Sequence, residues 1–125
     1  MIFGSKKTVL VVDDSKFVLM AIKNTLKKEG YKVVFAESGE EAIVKAKQER
    51  PDLILLDITL PGIDGIKTCF KLKNDSKTSS IPVVMCTSKS LIKEIDRAYS
   101  VGAEGYITKP IDSANLKEKV KNTIK

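Results

Sequence analysis

Leu53-Ile54-Leu55-Leu56-Asp57 is an apolar run that ends on a carboxylate. Four consecutive apolar residues, bounded by Pro51-Asp52 and by Pro61-Gly62, read as a short strand buried on both faces. Asp57 then stands at the carboxyl end of that strand, where the backbone leaves the sheet. In open α/β sheets this is the end at which ligands bind. An ionised carboxylate there is costly unless something compensates it, and the neighbouring segments offer the means.

On the amino-terminal side, Thr8–Val12 is a β-branched apolar run, hence a first buried strand, and it ends on Asp13-Asp14. Ser15 suits the N-cap of a first helix, whose core stripe is expected at Val18, Ala21, Ile22, Thr25 and Leu26, with Gly30 as its stop. Phe17, Leu19 and Met20 lie off that stripe, either as half-buried edges or as a docking surface. Lys32–Ala36 is a second strand. Ser38 and Glu41 have the spacing of a capping box, opening a second helix with Ala42, Ile43 and Ala46 inward.

Beyond Asp57, the turn-rich loop 58–65 leads to Asp64, a cap for a third helix whose inner side is expected at Ile66, Cys69 and Phe70. Leu72 falls off that stripe without an assignment, and 74–80 reads as a polar loop. A fourth strand is expected over 81–86, ending on Thr87-Ser88. A fourth helix carries Leu91, Ile95, Ala98 and Tyr99 and closes near Gly102. A short fifth strand over 104–108 runs into Lys109-Pro110, and Leu116, Val120 and Ile124 mark a fifth helix. Pro110 raises the chance of a cis peptide from a low base rate.

Five strands strictly alternating with five helices, without a linker, point to one α/β domain over 1–125 with a parallel sheet covered on both faces. The doubly wound, flavodoxin-like order 2-1-3-4-5 is the leading candidate, which places Asp13, Asp14 and Asp57 together at the switch point.

Composition narrows the chemistry. At 125 residues, 42% hydrophobic and 30% charged, the chain is of a size for one globular core. No apolar run approaches the roughly 20 residues that span a bilayer, and the start lacks a signal-peptide core, so a cytoplasmic protein without membrane partners is expected. There is no histidine, which removes the Ser-His-Asp triad and most zinc sites. Cys69 and Cys86 fit no metal spacing and read as buried thiols. The net charge of +6 comes from lysines scattered along the chain. Only Lys117, Lys119, Lys121 and Lys125 are locally dense, without interleaved aromatics, so a solvated helix face is expected rather than nucleic-acid binding.

Three carboxylates converging on one cleft need raised pKa values, a basic neighbour or a metal ion. An all-oxygen donor set suits a hard cation such as Mg²⁺, and Lys109, at the end of the fifth strand, is positioned to reach the same cleft. Thr87 adds a hydroxyl at the end of the fourth strand. Together these residues describe a phosphoryl-transfer site with Asp57 as nucleophile, the metal and Lys109 neutralising the phosphoryl oxygens. Taken singly, Asp14 reads equally as a helix cap, Thr87 as a loop residue and Lys109 as a surface charge.

The chain resembles the receiver domains of bacterial two-component response regulators over 8–125. The resemblance rests on Val11-Val12-Asp13-Asp14-Ser15, on Leu55-Leu56-Asp57 with Pro61-Gly62-Ile63-Asp64-Gly65, and on Met85-Cys86-Thr87-Ser88. Gly102-Ala103 and Gly105-Tyr106-Ile107-Thr108-Lys109-Pro110 complete it. It implies phosphoryl acceptance by Asp57 from a phosphohistidine on a histidine kinase or a histidine phosphotransfer protein. It also implies Mg²⁺ held by Asp14, Asp57 and the Thr59 carbonyl, with Asp13 acting through water. Lys109 would pair with the phosphoryl group, Thr87 and Tyr106 would form a switch pair, and Thr59 and Lys89 would occupy positions that tune dephosphorylation. Ser88 stands where the family usually has a small residue, often alanine.

On this reading the protein is a single-domain, chemotaxis-type regulator, monomeric or weakly dimeric. It catalyses only its own phosphotransfer and dephosphorylation, and signals to a downstream protein through its fourth helix, fifth strand and fifth helix. A relay that passes phosphate onward, and a silent binding scaffold, remain as alternatives. An FMN-binding flavodoxin would want a glycine- and hydroxyl-rich loop where this chain has Asp13-Asp14. An aspartyl phosphatase would normally carry its nucleophile after the first strand.

Overall fold

A computed structural model describes residues 6–124, apart from the side chain of Lys89. The strands are β1 (Thr8–Val12), β2 (Lys32–Ala36), β3 (Leu53–Asp57), β4 (Val83–Ser88) and β5 (Gly105–Lys109). The helices are α1 (Lys16–Lys28), α2 (Gly39–Glu49), α3 (Gly65–Lys73), α4 (Ile95–Ser100) and α5 (Ser113–Thr123). All strand pairs are parallel and the order is β2-β1-β3-β4-β5, the doubly wound arrangement expected from the alternation. Every residue of β3 is buried, because the strand lies at the centre of the sheet with helices over both faces.

The pleat divides the core in two. Val9, Val11, Leu53, Leu55, Val84 and Cys86 face α1 and α5, where Leu19, Ile22, Leu26, Leu116 and Val120 meet them. Leu10, Val12, Ile54, Leu56 and Met85 face α2, α3 and α4. Each fully buried aliphatic side chain contributes about 1.5–3 kcal/mol, so β3 anchors both layers. Ser15, Ser38, Asp64 and Asp112 cap their helices by accepting the N–H three residues on, at 3.3, 3.1, 2.8 and 3.3 Å. The Ser38–Glu41 box is present, with Glu41 reaching back to the Glu37 N–H at 2.7 Å.

Several elements differ from the sequence expectation. The core stripe of α1 is Leu19, Ile22 and Leu26, while Val18 and Thr25 are half-buried and Ala21 is exposed. Both stripes have helical spacing and share Ile22 and Leu26; against the sheet it is Leu19 that is buried, with Val18 packed at the edge. Phe17 and Met20 remain exposed, Phe17 to 83%. In α3 the inner side runs through Ile66, Cys69 and Leu72, and Phe70 points outward. Gly65 decides this: a Cβ there would stand 2.2 Å from the Asp57 carbonyl oxygen, so its face must lie against the end of β3.

β4 begins at Val83 rather than at Ile81, because Pro82 has no N–H to give the ladder, and it extends through Thr87-Ser88. β5 is shifted by one residue and ends on Lys109. The fourth helix is split. A 3₁₀ turn over Lys89–Glu94 leaves helical geometry at Leu91 (φ −107°, ψ 15°), and only Ile95–Ser100 is α-helical, with Tyr99 exposed. The 74–80 loop is polar but not wholly exposed: Thr78 is buried and donates to the Leu72 carbonyl at 2.6 Å. Ile124 is half-buried just past α5. Cys69 and Cys86 are buried on opposite faces of the sheet, and burial pushes their thiols up to about 11 and about 12, so both stay protonated. Among the described residues no helix is long and apolar enough to cross a membrane.

Candidate functional site

The carboxyl ends of β1, β3 and β5 deliver four charged side chains to one place. Carboxylate oxygens of Asp13, Asp14 and Asp57 all lie within 4.8 Å of one another. Lys109 reaches across from β5 and donates to Asp13 Oδ2 at 2.7 Å, with Asp57 Oδ2 at 3.2 Å. Asp13 and Asp57 are buried, whereas Asp14 is exposed. These residues line a depression of about 500 Å³ together with Ser15, Thr59, Leu60, Pro61 and Ser88.

Asp13 and Asp57 are held in the same local way. Asp13 Oδ1 accepts the Ser15 N–H at 2.9 Å, and Asp57 Oδ1 accepts the Thr59 N–H at 3.1 Å. Each is an Asx turn, in which a carboxylate bonds its own chain two residues on. One oxygen of each carboxylate is thereby fixed by the backbone, and the other is presented to Lys109. Both donors are backbone N–H groups, which any residue but proline supplies, so the sequence signal for these turns is the aspartate itself at a strand end.

Electrostatics follow from burial and from the charge count. Burial raises the Asp57 pKa above the ordinary carboxylate value and the Asp13 charge adds to this, while Lys109 and the Thr59 N–H pull the other way. Burial acts to lower the pKa of Lys109, but the hydrogen bond to Asp13 and the charges of Asp57 and Asp13 outweigh it, so the ammonium is held firmly protonated. Three carboxylates against one lysine leave net negative charge in a depression lined by oxygen donors, which fits a small hard cation such as Mg²⁺.

The remaining expected residues sit around this centre. Thr87 is fully buried beneath the rim rather than in the lining, and its hydroxyl donates to the Ser88 carbonyl at 3.1 Å. Ser88 itself lines the depression, its hydroxyl 2.8 Å from that of Ser90. Tyr106 pairs in register with Met85, and Thr87 with Thr108. The two-residue pleat therefore puts Thr87 and Tyr106 on one face of adjacent strands. Tyr106 is 37% exposed. The backbone of Lys89 starts the 3₁₀ turn, and its side chain lies outside the described residues. The Lys109-Pro110 peptide is cis.

The model of the response regulator receiver domain family matches residues 9–121. Protein PilH of Pseudomonas aeruginosa is 38% identical over 110 residues, covering 86% of this chain and 89% of PilH. The alkaline phosphatase synthesis transcriptional regulatory protein PhoP of Bacillus subtilis is 38% identical over 117 residues, covering 92% of this chain. The chain spans only 47% of that protein's length. The high-resolution structure of the chemotaxis response regulator CheY4 of Vibrio cholerae superimposes with a TM-score of 0.90 at 28% identity, over 96% of this chain and 100% of that one. With the fold, the strand order and the match in agreement, the chain belongs to the response regulator receiver domains.

Proposed function

We propose that the chain accepts a phosphoryl group on Asp57 from a phosphohistidine of a histidine kinase or histidine phosphotransfer protein, and signals the change by binding another protein. The observation that carries this is the position of Lys109. Its ammonium contacts Asp13 and Asp57 at 2.7 and 3.2 Å and so stands where phosphoryl oxygens on Asp57 would need a counter-charge. A carboxylate oxygen of Asp57 forms the bond to phosphorus as the P–N bond breaks, and the electron pair leaves on the imidazole nitrogen.

The Asx turn at Thr59 aims the Asp57 carboxylate before any substrate arrives, so less ordering is needed at the moment of transfer. Asp14, Asp57 and the Thr59 carbonyl are the residues that would hold Mg²⁺, with Asp13 acting through a water. Bound there, the ion supplies charge neutralisation to the phosphoryl oxygens during transfer. Exposed Asp14 leaves the site open to an incoming partner.

Signalling rests on Thr87 and Tyr106. The Thr87 hydroxyl donates to Ser88 now. A phosphoryl group on Asp57 brings strong acceptor oxygens, and re-aiming Thr87 toward one of them draws in the chain that begins at Ser88. Tyr106, half-exposed on the same face, then turns inward and changes the surface formed by α4, β5 and α5. Thr59, which lines the depression, and Lys89 are the residues that would tune the lifetime of the group.

Intact-mass measurement after incubation with acetyl phosphate tests the proposal. A phosphoryl adduct that requires Mg²⁺ and is absent in Asp57→Asn is expected. No adduct on the parent protein, in a buffer where a control regulator is labelled, overturns it.

A further inference from the structure

Opposite the acidic cluster, the edge of the sheet where β1 and β2 begin is locally basic. Residues 6–32 hold seven lysines against three acidic residues, of which Lys16, Asp13 and Asp14 belong to the other end of β1, while Asp52 reaches this edge and accepts the Thr8 N–H at 2.8 Å. The third acidic residue, Glu29, lies 3.9 Å from Lys117. Lys6, Lys23, Lys27 and Lys32 come from the run before β1, from α1 and from β2, and line one depression of about 600 Å³. Thr8, Tyr31 and Val33 complete its lining. Among the described residues none of these four lysines has an ion-pair partner, in contrast to Lys45, Lys47, Lys73, Lys109 and Lys117.

Ordinary helix chemistry explains only part of this. Lys27 stands in the last turn of α1, where a cation complements the helix dipole. That does not account for Lys6, Lys23 or Lys32. The Lys23 ammonium stands over the ring of Phe35 at 5.6 Å, a ring beside the depression rather than in its lining. Like charges gathered without counter-charge repel one another, and an anion seated among them removes that repulsion.

We propose that this depression binds a small anion carrying two or more phosphate groups. Its volume is in the range of small-ligand sites. Its lining includes four lysines and two hydroxyl-bearing residues, Thr8 and Tyr31, residue types suited to phosphate oxygens. A protein partner would want buried apolar anchors at the centre of its footprint. Here the lining offers only Val33 and the Tyr31 ring among four lysines. The ligand is either a soluble polyphosphate or the phosphorylated headgroup of a membrane lipid, which share this chemistry.

Calorimetric titration of sodium tripolyphosphate into the metal-free protein tests the site, with Lys23→Gln/Lys27→Gln/Lys32→Gln compared with Lys67→Gln/Lys71→Gln/Lys121→Gln. Equal charge is removed in both, so only the place differs. Saturable binding that weakens about tenfold or more in the first variant, and by less than about twofold in the second, is expected for point-charge recognition of phosphate. Amide shifts around residues 23, 27 and 32 of the parent protein during the same titration give a reading that needs no variant. Absence of saturable binding overturns the proposal. Equal weakening in both variants overturns it too, leaving net charge as the whole effect, and so does tighter binding of a single-stranded oligonucleotide. Sedimentation with phosphatidylcholine vesicles, with and without a phosphatidylinositol bisphosphate, names the source. Capture by the phosphorylated vesicles assigns a headgroup, and tripolyphosphate binding without capture assigns a soluble anion.

Discussion

The two ends of the sheet hold charge in opposite ways. At the carboxyl end, Asp13 and Asp57 are buried, each fixed by its own backbone and compensated by Lys109. At the amino end, the lysines around Tyr31 are mostly exposed, drawn from α1, β2 and the run before β1, and without an ion-pair partner among the described residues. Buried charge makes each group depend strongly on its neighbour, whereas exposed charge is screened and individually weak. One end therefore responds steeply to the loss of a single side chain, and the other responds only to the sum.

The largest stability effect is expected from Lys109→Met. It strands Asp13 and Asp57 without their cation and costs about 1–3 kcal/mol at neutral pH, allowing for the partial exposure of Lys109. Urea unfolding at pH 7 measures it. The folded pKa of Lys109 lies above its ordinary 10.5, so the contribution is complete below that value and is lost as pH rises through the folded one. The difference between parent and variant should therefore shrink in strongly alkaline buffer. A penalty that is absent at pH 7 would erase the contrast between the ends.

Asp57→Asn acts in the opposite direction. The folded pKa of Asp57 is raised, so its contribution to stability is present below the ordinary 3.8 and is lost as pH rises through the folded value. Metal-free Asp57→Asn should melt a few degrees above the parent at pH 7, with the gain fading as pH falls toward 4. Thermal melts across that range check the sign. Combining the two substitutions should cost less than their separate effects predict, with a coupling of about 0.5–1.5 kcal/mol, because Lys109 loses one of its two partners. Strict additivity would show that Lys109 serves Asp13 alone.

The smallest effect belongs to the amino end. Lys27→Gln should change stability by no more than about 0.5 kcal/mol. Added salt should abolish whatever difference remains, since the screening length falls below about 10 Å above 0.1 M. A larger, salt-resistant change would mean that this lysine is fixed by contacts of its own.

Much of this architecture was legible along the chain. The buried run of β3, the alternation of strands and helices and the capping residues are local or short-period signals, and they placed five strands and the acidic cluster correctly. The inner sides of α1 and α3 were not legible, because two stripes of helical spacing compete in each. Only docking against the sheet chooses between them: Gly65 against the Asp57 carbonyl for α3, and Leu19, Ile22 and Leu26 against the sheet for α1.

Local pattern alone put Asp13, Asp14, Asp57 and Lys109 at or just past strand ends, and therefore together at one end of a parallel sheet. That follows because strand ends are set by runs of residues adjacent in the chain. Tertiary structure alone decided that Thr87 lies beneath the rim, that Lys109 contacts both Asp13 and Asp57, and that lysines scattered from position 6 to position 32 surround one depression. Those facts depend on distances between elements far apart in the chain, which packing of the whole core sets and no local pattern encodes.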